Sequence, residues 1–186
     1  MRAMYVAMVI ALLPAPLAAQ DKVVLAIHGG AGALSKKQLT PELEKQYRQA
    51  LEDALKAGHA ALARESLDGV EAAIRSMEDS GLFNAGKGAV FNREGRQELN
   101  ASIMEGKTRK AGAVAGVCRL KNPISAARLI MEKSEHVFMI GDGAERFCRE
   151  QGMELVSPFY FWSDKAWKEL QAAERSARNK SAASEV

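Results

Sequence analysis

The chain has 186 residues, of which 47% are hydrophobic and 26% charged, with a formal net charge of +3. That is enough for one soluble globular domain with a sizeable core. The positive excess is not gathered into a nucleic-acid surface. Its nearest cluster, Lys165, Lys168, Arg175, Arg178 and Lys180, is interrupted by Glu169 and Glu174 and reads as a solvated helix face.

The amino terminus differs from the rest. Arg2 precedes an apolar run from Ala3 to Leu13, and small residues and prolines fill Pro14 to Ala19. This is the three-part pattern of a secretory signal peptide, and its apolar run falls short of the ~20 residues that span a bilayer. Residues 1–19 are expected to be removed, leaving a periplasmic or secreted chain with no membrane attachment. Such a compartment permits disulfides. Cys118 falls in a strand-like run and Cys148 on a helix, however, so two separate buried thiols are expected.

Val23 to Ile27 (V-V-L-A-I) is short and rich in β-branched residues, which predicts a buried strand ending in His28-Gly29-Gly30-Ala31-Gly32. Thr40-Pro41 starts a helix, with a capping hydroxyl and then proline in the first turn. Leu43, Tyr47, Leu51, Leu55 and Leu62 form its apolar stripe to about Ala63, and the pairs Glu44/Arg48 and Glu52/Lys56 lie on the wet side. Ser66 is the expected cap of a second helix, Leu67 to Asp79. It buries Leu67, Val70, Ile74 and Met77 and stops at Ser80-Gly81.

Leu82 to Val90 (L-F-N-A-G-K-G-A-V) is a glycine-rich segment, and Arg93 to Arg96 reads as a turn between two strands. Glu98 to Met104 and Ala111 to Leu120 are the next strands. The second is rich in alanine and glycine, which suits close packing of sheet on helix. Asn122-Pro123 caps a helix with Ala127, Ile130 and Met131 inward, and His136 to Ile140 is another buried strand. Gly141-Asp142-Gly143 opens a helix that stops at Gly152, and a last helix starts near Asp164. From Arg175 apolar content collapses, and 175–186 reads as a flexible linker following a domain over 20–174. Strands alternating with helices, some joined by short turns, predict a layered α+β domain with a mixed or antiparallel sheet.

Standard chemical signatures are missing. There is no G-x-S-x-G, Walker loop or C-x-x-C, and His28, His59 and His136 have no metal-ligand spacing. H-G-G-A-G lacks the spacing of a dinucleotide fingerprint. It reads either as a tight turn or as a mobile loop bordering a site. Asn84 is either a turn residue or a positioned amide, able to donate and accept at once.

Six segments occur in order: A-I-H-G-G-A-G, L-F-N-A-G-K-G-A-V, E-L-N-A-S-I-M-E-G, K-A-G-A-V-A-G-V, K-N-P-I-S-A-A-R-L-I-M-E-K-S and H-V-F-M-I-G-D-G-A-E. Over Val23 to Pro158 the chain resembles the α-subunit of plant-type L-asparaginases, also called isoaspartyl peptidases, which are threonine-type N-terminal nucleophile hydrolases. The resemblance implies an αββα sandwich of which only the amino-terminal half is present. It also implies self-cleavage before a threonine that becomes the nucleophile of a β-subunit, and an (αβ)2 heterotetramer. The substrates would be L-asparagine and β-aspartyl dipeptides, and the product L-aspartate. No cofactor takes part in that chemistry. Thr40 and Thr108 match no cleavage motif, so the nucleophile is expected on polypeptide outside this chain, and the chain alone is expected to be inactive and poorly soluble.

By the same resemblance, Asn84 borders the active site as a supporting residue, and Gly29 and Gly30 belong to a mobile loop beside it. The backbone carbonyls of Met77, Glu78, Ser80, Phe83, Ala85 and Lys87 would encircle a structural Na+. Asn100 stands where relatives often carry aspartate, and Ser80-Gly81 departs from a Cys-Pro-like pairing. A non-catalytic scaffold derived from the same fold is the alternative.

Overall fold

In the computed structural model, which describes residues 23–30, 39–62 and 65–184, Thr40 starts the first helix as its sequence requires. Its hydroxyl accepts from the Leu43 N–H at 3.2 Å, and α1 runs from Pro41 to Ala61. Glu44/Arg48 and Glu52/Lys56 pair on the exposed side, where such pairs contribute little. Of the expected stripe, Leu43, Tyr47, Leu51 and Leu62 are half-buried and Leu55 is exposed, while the fully buried positions are Ala54 and Gly58. The cause is close helix packing. α2 (Ser66–Ser80) lies against α1 at Gly58 and Gly69, and a Cβ on Gly58 would sit 2.9 Å from the Gly69 carbonyl oxygen. The buried face of α2 is Leu67, Gly69, Ala73 and Glu78, while Val70 is exposed. Its N-cap is Glu65, without a side-chain bond, and Ser66 is already helical. Gly81 ends it at φ +72°, the left-handed geometry expected there.

Three strands make one mixed sheet in the order β1 (Leu99–Met104), β2 (Ala111–Val117), β3 (Phe138–Ile140). β1 and β2 are antiparallel; β2 and β3 are parallel, joined through α3 (Pro123–Lys133). The register slips between Leu99 and Ala101, and there Asn100 Oδ1 accepts from the Gly116 N–H at 2.9 Å, with Gly116 at φ +63°. An asparagine amide does this as well as a carboxylate would. α3 and α4 (Gly141–Glu150) cover one face of the sheet, over a core of Ile103, Val114, Val117, Leu120, Ile124 and Ile130. Ala127, Ile130 and Met131 point inward as expected. Gly112 allows this approach: a Cβ there would meet the Ala127 carbonyl and lie 2.6 Å from the Met131 nitrogen.

The other sheet face is open. Met104, Phe138 and Ile140 are 59%, 58% and 63% exposed, so β3 is not the buried strand its sequence suggests. Phe138 and Ile140 pair with Ala113 and Ala115, which places all four on the uncovered side. Residues 23–27 are also not a strand. They have no ladder partner among the described residues, Val23 and Val24 are 63% and 86% exposed, and Leu25 reaches toward Gly58 on the helix pair.

The turn after Phe91 is held by Asn92, whose Oδ1 accepts from the N–H groups of Glu94 and Arg96, but residues 89–91 directly before it form no strand. α3 starts without the Asn122 side chain as cap, since that amide donates to Asp79 instead. After α4 a 3-10 turn, Pro158–Phe161, is capped by Ser157 and leads to α5 (Asp164–Ser184). The helix continues through the stretch that reads as linker as far as Ser184. That stretch has no glycine or proline, and its three alanines and two arginines are strong helix formers, so helix forms there with residues 171–180 wholly exposed. The proposed leader, residues 1–19, lies outside the described residues, as do Ala31 and Gly32. No described helix is long and apolar enough to cross a membrane.

Candidate functional site

The segment from Gly81 to Val90 is organised by short local bonds. Ser80 Oγ donates to the Met77 carbonyl at 2.7 Å and accepts from Leu82 N–H at 3.2 Å. The Phe83 carbonyl accepts from Ala85 N–H at 2.7 Å, and a 3-10 turn follows over Gly86–Gly88. Asn84 Oδ1 accepts from Val90 N–H at 3.1 Å, closing the loop across its base. That bond commits the amide oxygen and leaves the two N–H donors of Asn84 without a partner among the described residues. α1 anchors the loop from outside. Tyr47 donates its hydroxyl to the Leu82 carbonyl at 2.9 Å and stacks edge-on against Phe83 at 5.7 Å.

Segment 23–30, α1, this loop and the start of α5 enclose an open cleft of about 640 Å3. Gly29, Gly30, Met77, Phe83, Asn84 and Ala85 line it together, whereas Glu78, Ser80 and Lys87 do not. The Lys87 ammonium instead lies 5.5 Å from the Tyr160 ring centroid. Gly29 sits against Phe83 and Leu51, with room for a Cβ only 3.2 Å from the Phe83 ring. Gly30 adopts φ +105°, and its N–H donates to His28 Nδ1 at 3.1 Å, which fixes the imidazole over the turn.

Sequence reasoning missed His28, Tyr47, Lys165 and Glu169 as residues of this cleft. Tyr47 was hidden inside an apolar stripe, and Lys165 and Glu169 inside a charge-rich helix. His28 was visible, directly before the glycine pair. No described lining residue is Ser, Thr or Cys, and the one hydroxyl, on Tyr47, is tied to Leu82. Among the described residues the cleft thus offers donors, backbone and the charged groups of Lys165 and Glu169, but no free hydroxyl or thiol. The cysteines lie elsewhere and are separate, Cys148 buried and Cys118 half-buried. Burial pushes the Cys148 thiol up to about 11, and also raises that of Cys118, so neither is a thiolate at neutral pH.

The loop also tests the carbonyl ring. A Cβ on Gly86 would lie 2.6 Å from the Glu78 carbonyl oxygen, and one on Gly88 would lie 2.9 Å from that of Gly81 and closer still to Phe83's. Carbonyl oxygens therefore crowd the inside of the loop at positions only glycine can occupy. Those of Met77, Phe83 and Ala85 each accept one hydrogen bond and keep a second lone pair. Neutral, hard oxygen donors of this kind fit a monovalent cation.

The family model described as Asparaginase matches residues 21–186. The chain is 49% identical over 156 residues to an isoaspartyl peptidase of Escherichia coli K12, covering 83% of this chain and 49% of that protein. It is 48% identical over 155 residues to the isoaspartyl peptidase of Salmonella typhimurium, covering 82% of this chain and 50% of the relative. It is 45% identical over 146 residues to a plant-type L-asparaginase of Thermococcus kodakarensis, covering 78% and 46%. The chain thus spans about half the length of the curated relatives it matches. The mixed α+β layers, the glycine-shaped cleft and these matches agree, and the chain belongs to the asparaginase family.

Proposed function

We propose that this chain is the α-subunit portion of an autoprocessed amidohydrolase that releases L-aspartate from β-aspartyl dipeptides and L-asparagine. The observation that carries this reading is the cleft itself. It joins Asn84, Gly29 and Gly30, in a member of the asparaginase family, and its described lining has no free hydroxyl or thiol to attack an amide. The attacking group is then a threonine at the start of a β-subunit. Its hydroxyl oxygen bonds to the substrate carbonyl carbon, and its own amine takes the hydroxyl proton. That proton passes to the leaving nitrogen as the C–N bond breaks, and water then cleaves the acyl ester to give aspartate. The free N–H donors of Asn84 stand at the border of this chemistry.

The open sheet face and the unpaired segment 23–27 support a second layer from that subunit, as an αββα sandwich requires. The assembly would be an (αβ)2 heterotetramer. The carbonyls of Met77, Glu78, Ser80, Phe83, Ala85 and Lys87 would hold a Na+ that stiffens the Asn84 loop and takes no part in bond breaking. The leader over 1–19 would deliver the protein to the periplasm or outside the cell.

The test is expression of the full-length gene product and assay of both substrates. Hydrolysis of β-aspartyl-leucine and ammonia release from L-asparagine are expected, together with a new chain starting at threonine. An uncleaved product, or one that turns over neither substrate, overturns the reading. Asn84→Ala in the same protein should lower kcat on both substrates.

A further inference from the structure

Arg119, Arg146 and Arg149 open onto one depression of about 230 Å3, completed by Asp142, Glu145 and Leu155. It shares no residue with the cleft around Asn84. Arg146 and Arg149 are three apart on α4 and follow one another along one helix face. Arg119 reaches the hollow from the segment leaving β2, where its backbone is fixed at both ends. Its N–H donates to Glu145 Oε1 at 2.8 Å, and its carbonyl accepts from Val156 N–H at 2.8 Å.

The charges here are not mutually cancelled. Arg48, Arg96 and Arg128 each meet a carboxylate, but none of the three hollow-lining guanidinium groups lies within 4.0 Å of one among the described residues. Glu145 does not serve as their partner. It is buried, and its Oε1 is committed to the N–H groups of Cys118 at 2.6 Å and Arg119 at 2.8 Å. Three exposed guanidinium forks thus face a single exposed carboxylate, Asp142.

We infer that this hollow binds a small oxyanion of the phosphate or pyrophosphate class. Guanidinium groups present paired N–H donors whose spacing matches two oxygens of one phosphoryl group, and three of them converging favour an ion with several such oxygens. Among the described residues the hollow contains no aromatic ring on which a nucleobase would stack, and the one apolar residue lining it is Leu155. The ligand is therefore recognised by its charge and oxygen geometry alone.

Titration calorimetry on the full-length protein tests this, with pyrophosphate and inorganic phosphate as separate probes, each at about 50 mM and about 200 mM salt. One saturable site is expected, weakening with salt and tighter for pyrophosphate. Arg146→Ala/Arg149→Ala should weaken it at least ~tenfold, and the Arg93→Ala control, in the turn after Asn92, should leave it unchanged. These side chains are exposed, so circular dichroism should show native folding. Should the double variant misfold, Arg119→Gln alone must weaken binding by a measurable factor. Absence of saturable heat with either anion, or equal affinity in the folded arginine variants, overturns the inference.

Discussion

The Glu78 carboxyl, carried by α2, accepts at Oε1 from the Ile124 N–H at 3.1 Å and so caps α3 from a different helix. The residue is only 3% exposed, and its second oxygen, Oε2, has no partner among the described residues. Burial disfavours its charged form and pushes its pKa up from the ordinary 4.5 to about 7, against the opposing pull of the Ile124 N–H bond and the nearby Asn122 amide. Folding therefore takes up a proton between those two values. The stability Glu78 contributes is full below the unfolded value and is lost as pH rises through the folded one, by up to about 3 kcal/mol. Glu78→Gln keeps an acceptor for Ile124 and cannot ionise. It should flatten the dependence between pH 5 and 8 and exceed the parent in stability above pH ~7, as read from urea midpoints across that range. A parent curve with no slope there would refute the assignment.

This cap shows where the sequence was legible and where it was not. Local signals held: Thr40 caps α1, Gly81 ends α2, and Pro123 opens α3, because each acts on its own few residues. The Asn122 cap did not hold. Its amide turns to Asp79, and the orphan N–H is met by a residue 46 positions earlier, a pairing no spacing rule reveals. In the leucine stripe of α1, Leu55 misled for a related reason. Gly58 and Gly69 let the helices approach so closely that Ala54 is buried in place of Leu55. For the cleft, the motif order pointed to Asn84 and the glycine pair. Lys165 and Glu169 come to it from α5, over 75 residues away in sequence, and nothing local marked them.

Gln97 should be more important than an isolated amide usually is. It is buried, and its Nε2 donates to the carbonyls of Ala89 and Phe161, both at 2.7 Å. These bonds tie the end of the Asn84 loop to the 3-10 turn before α5 through one side chain. Gln97→Leu is close in size and removes both donors, leaving two carbonyls without them. The expected loss is about 2 kcal/mol, measured by denaturant unfolding. A change below about 0.5 kcal/mol would show that other donors replace it.

Arg128 holds three acidic groups from two helices. Its Nη1 meets Asp68 at 2.5 Å and Glu71 at 2.9 Å on α2, and its Nε meets Glu132 at 2.7 Å on α3. The guanidinium is mostly buried, so Arg128→Met retains much of the packing but leaves these carboxylates to repel one another. The variant should lose on the order of 3 kcal/mol at pH 7. Part of that loss should disappear in high salt, which screens the repulsion between the carboxylates. A loss that does not change with salt would assign the effect to packing instead of charge.

Two glycine-to-alanine exchanges separate packing from backbone freedom. Gly112 lies on β2 beneath α3, and an alanine methyl there would press on the Ala127 carbonyl and come 2.6 Å from the Met131 nitrogen. Both obstacles are helix backbone, which cannot rotate away as a side chain would. α3 must lift from the sheet, and the core residues Val114, Ala127 and Ile130 lose contact with each other. Gly112→Ala should destabilise by several kcal/mol, on the order of the cost of overpacking a core. Gly143, in the first turn of α4, has nothing within 4 Å of its would-be Cβ and no left-handed φ. Gly143→Ala should therefore stabilise by about 0.5–1 kcal/mol, mainly by restricting the unfolded chain. Thermal melting of the two variants beside the parent decides the matter. Opposite shifts in Tm are required, and a Gly112→Ala protein that melts with the parent would mean that α3 does not sit this close to the sheet.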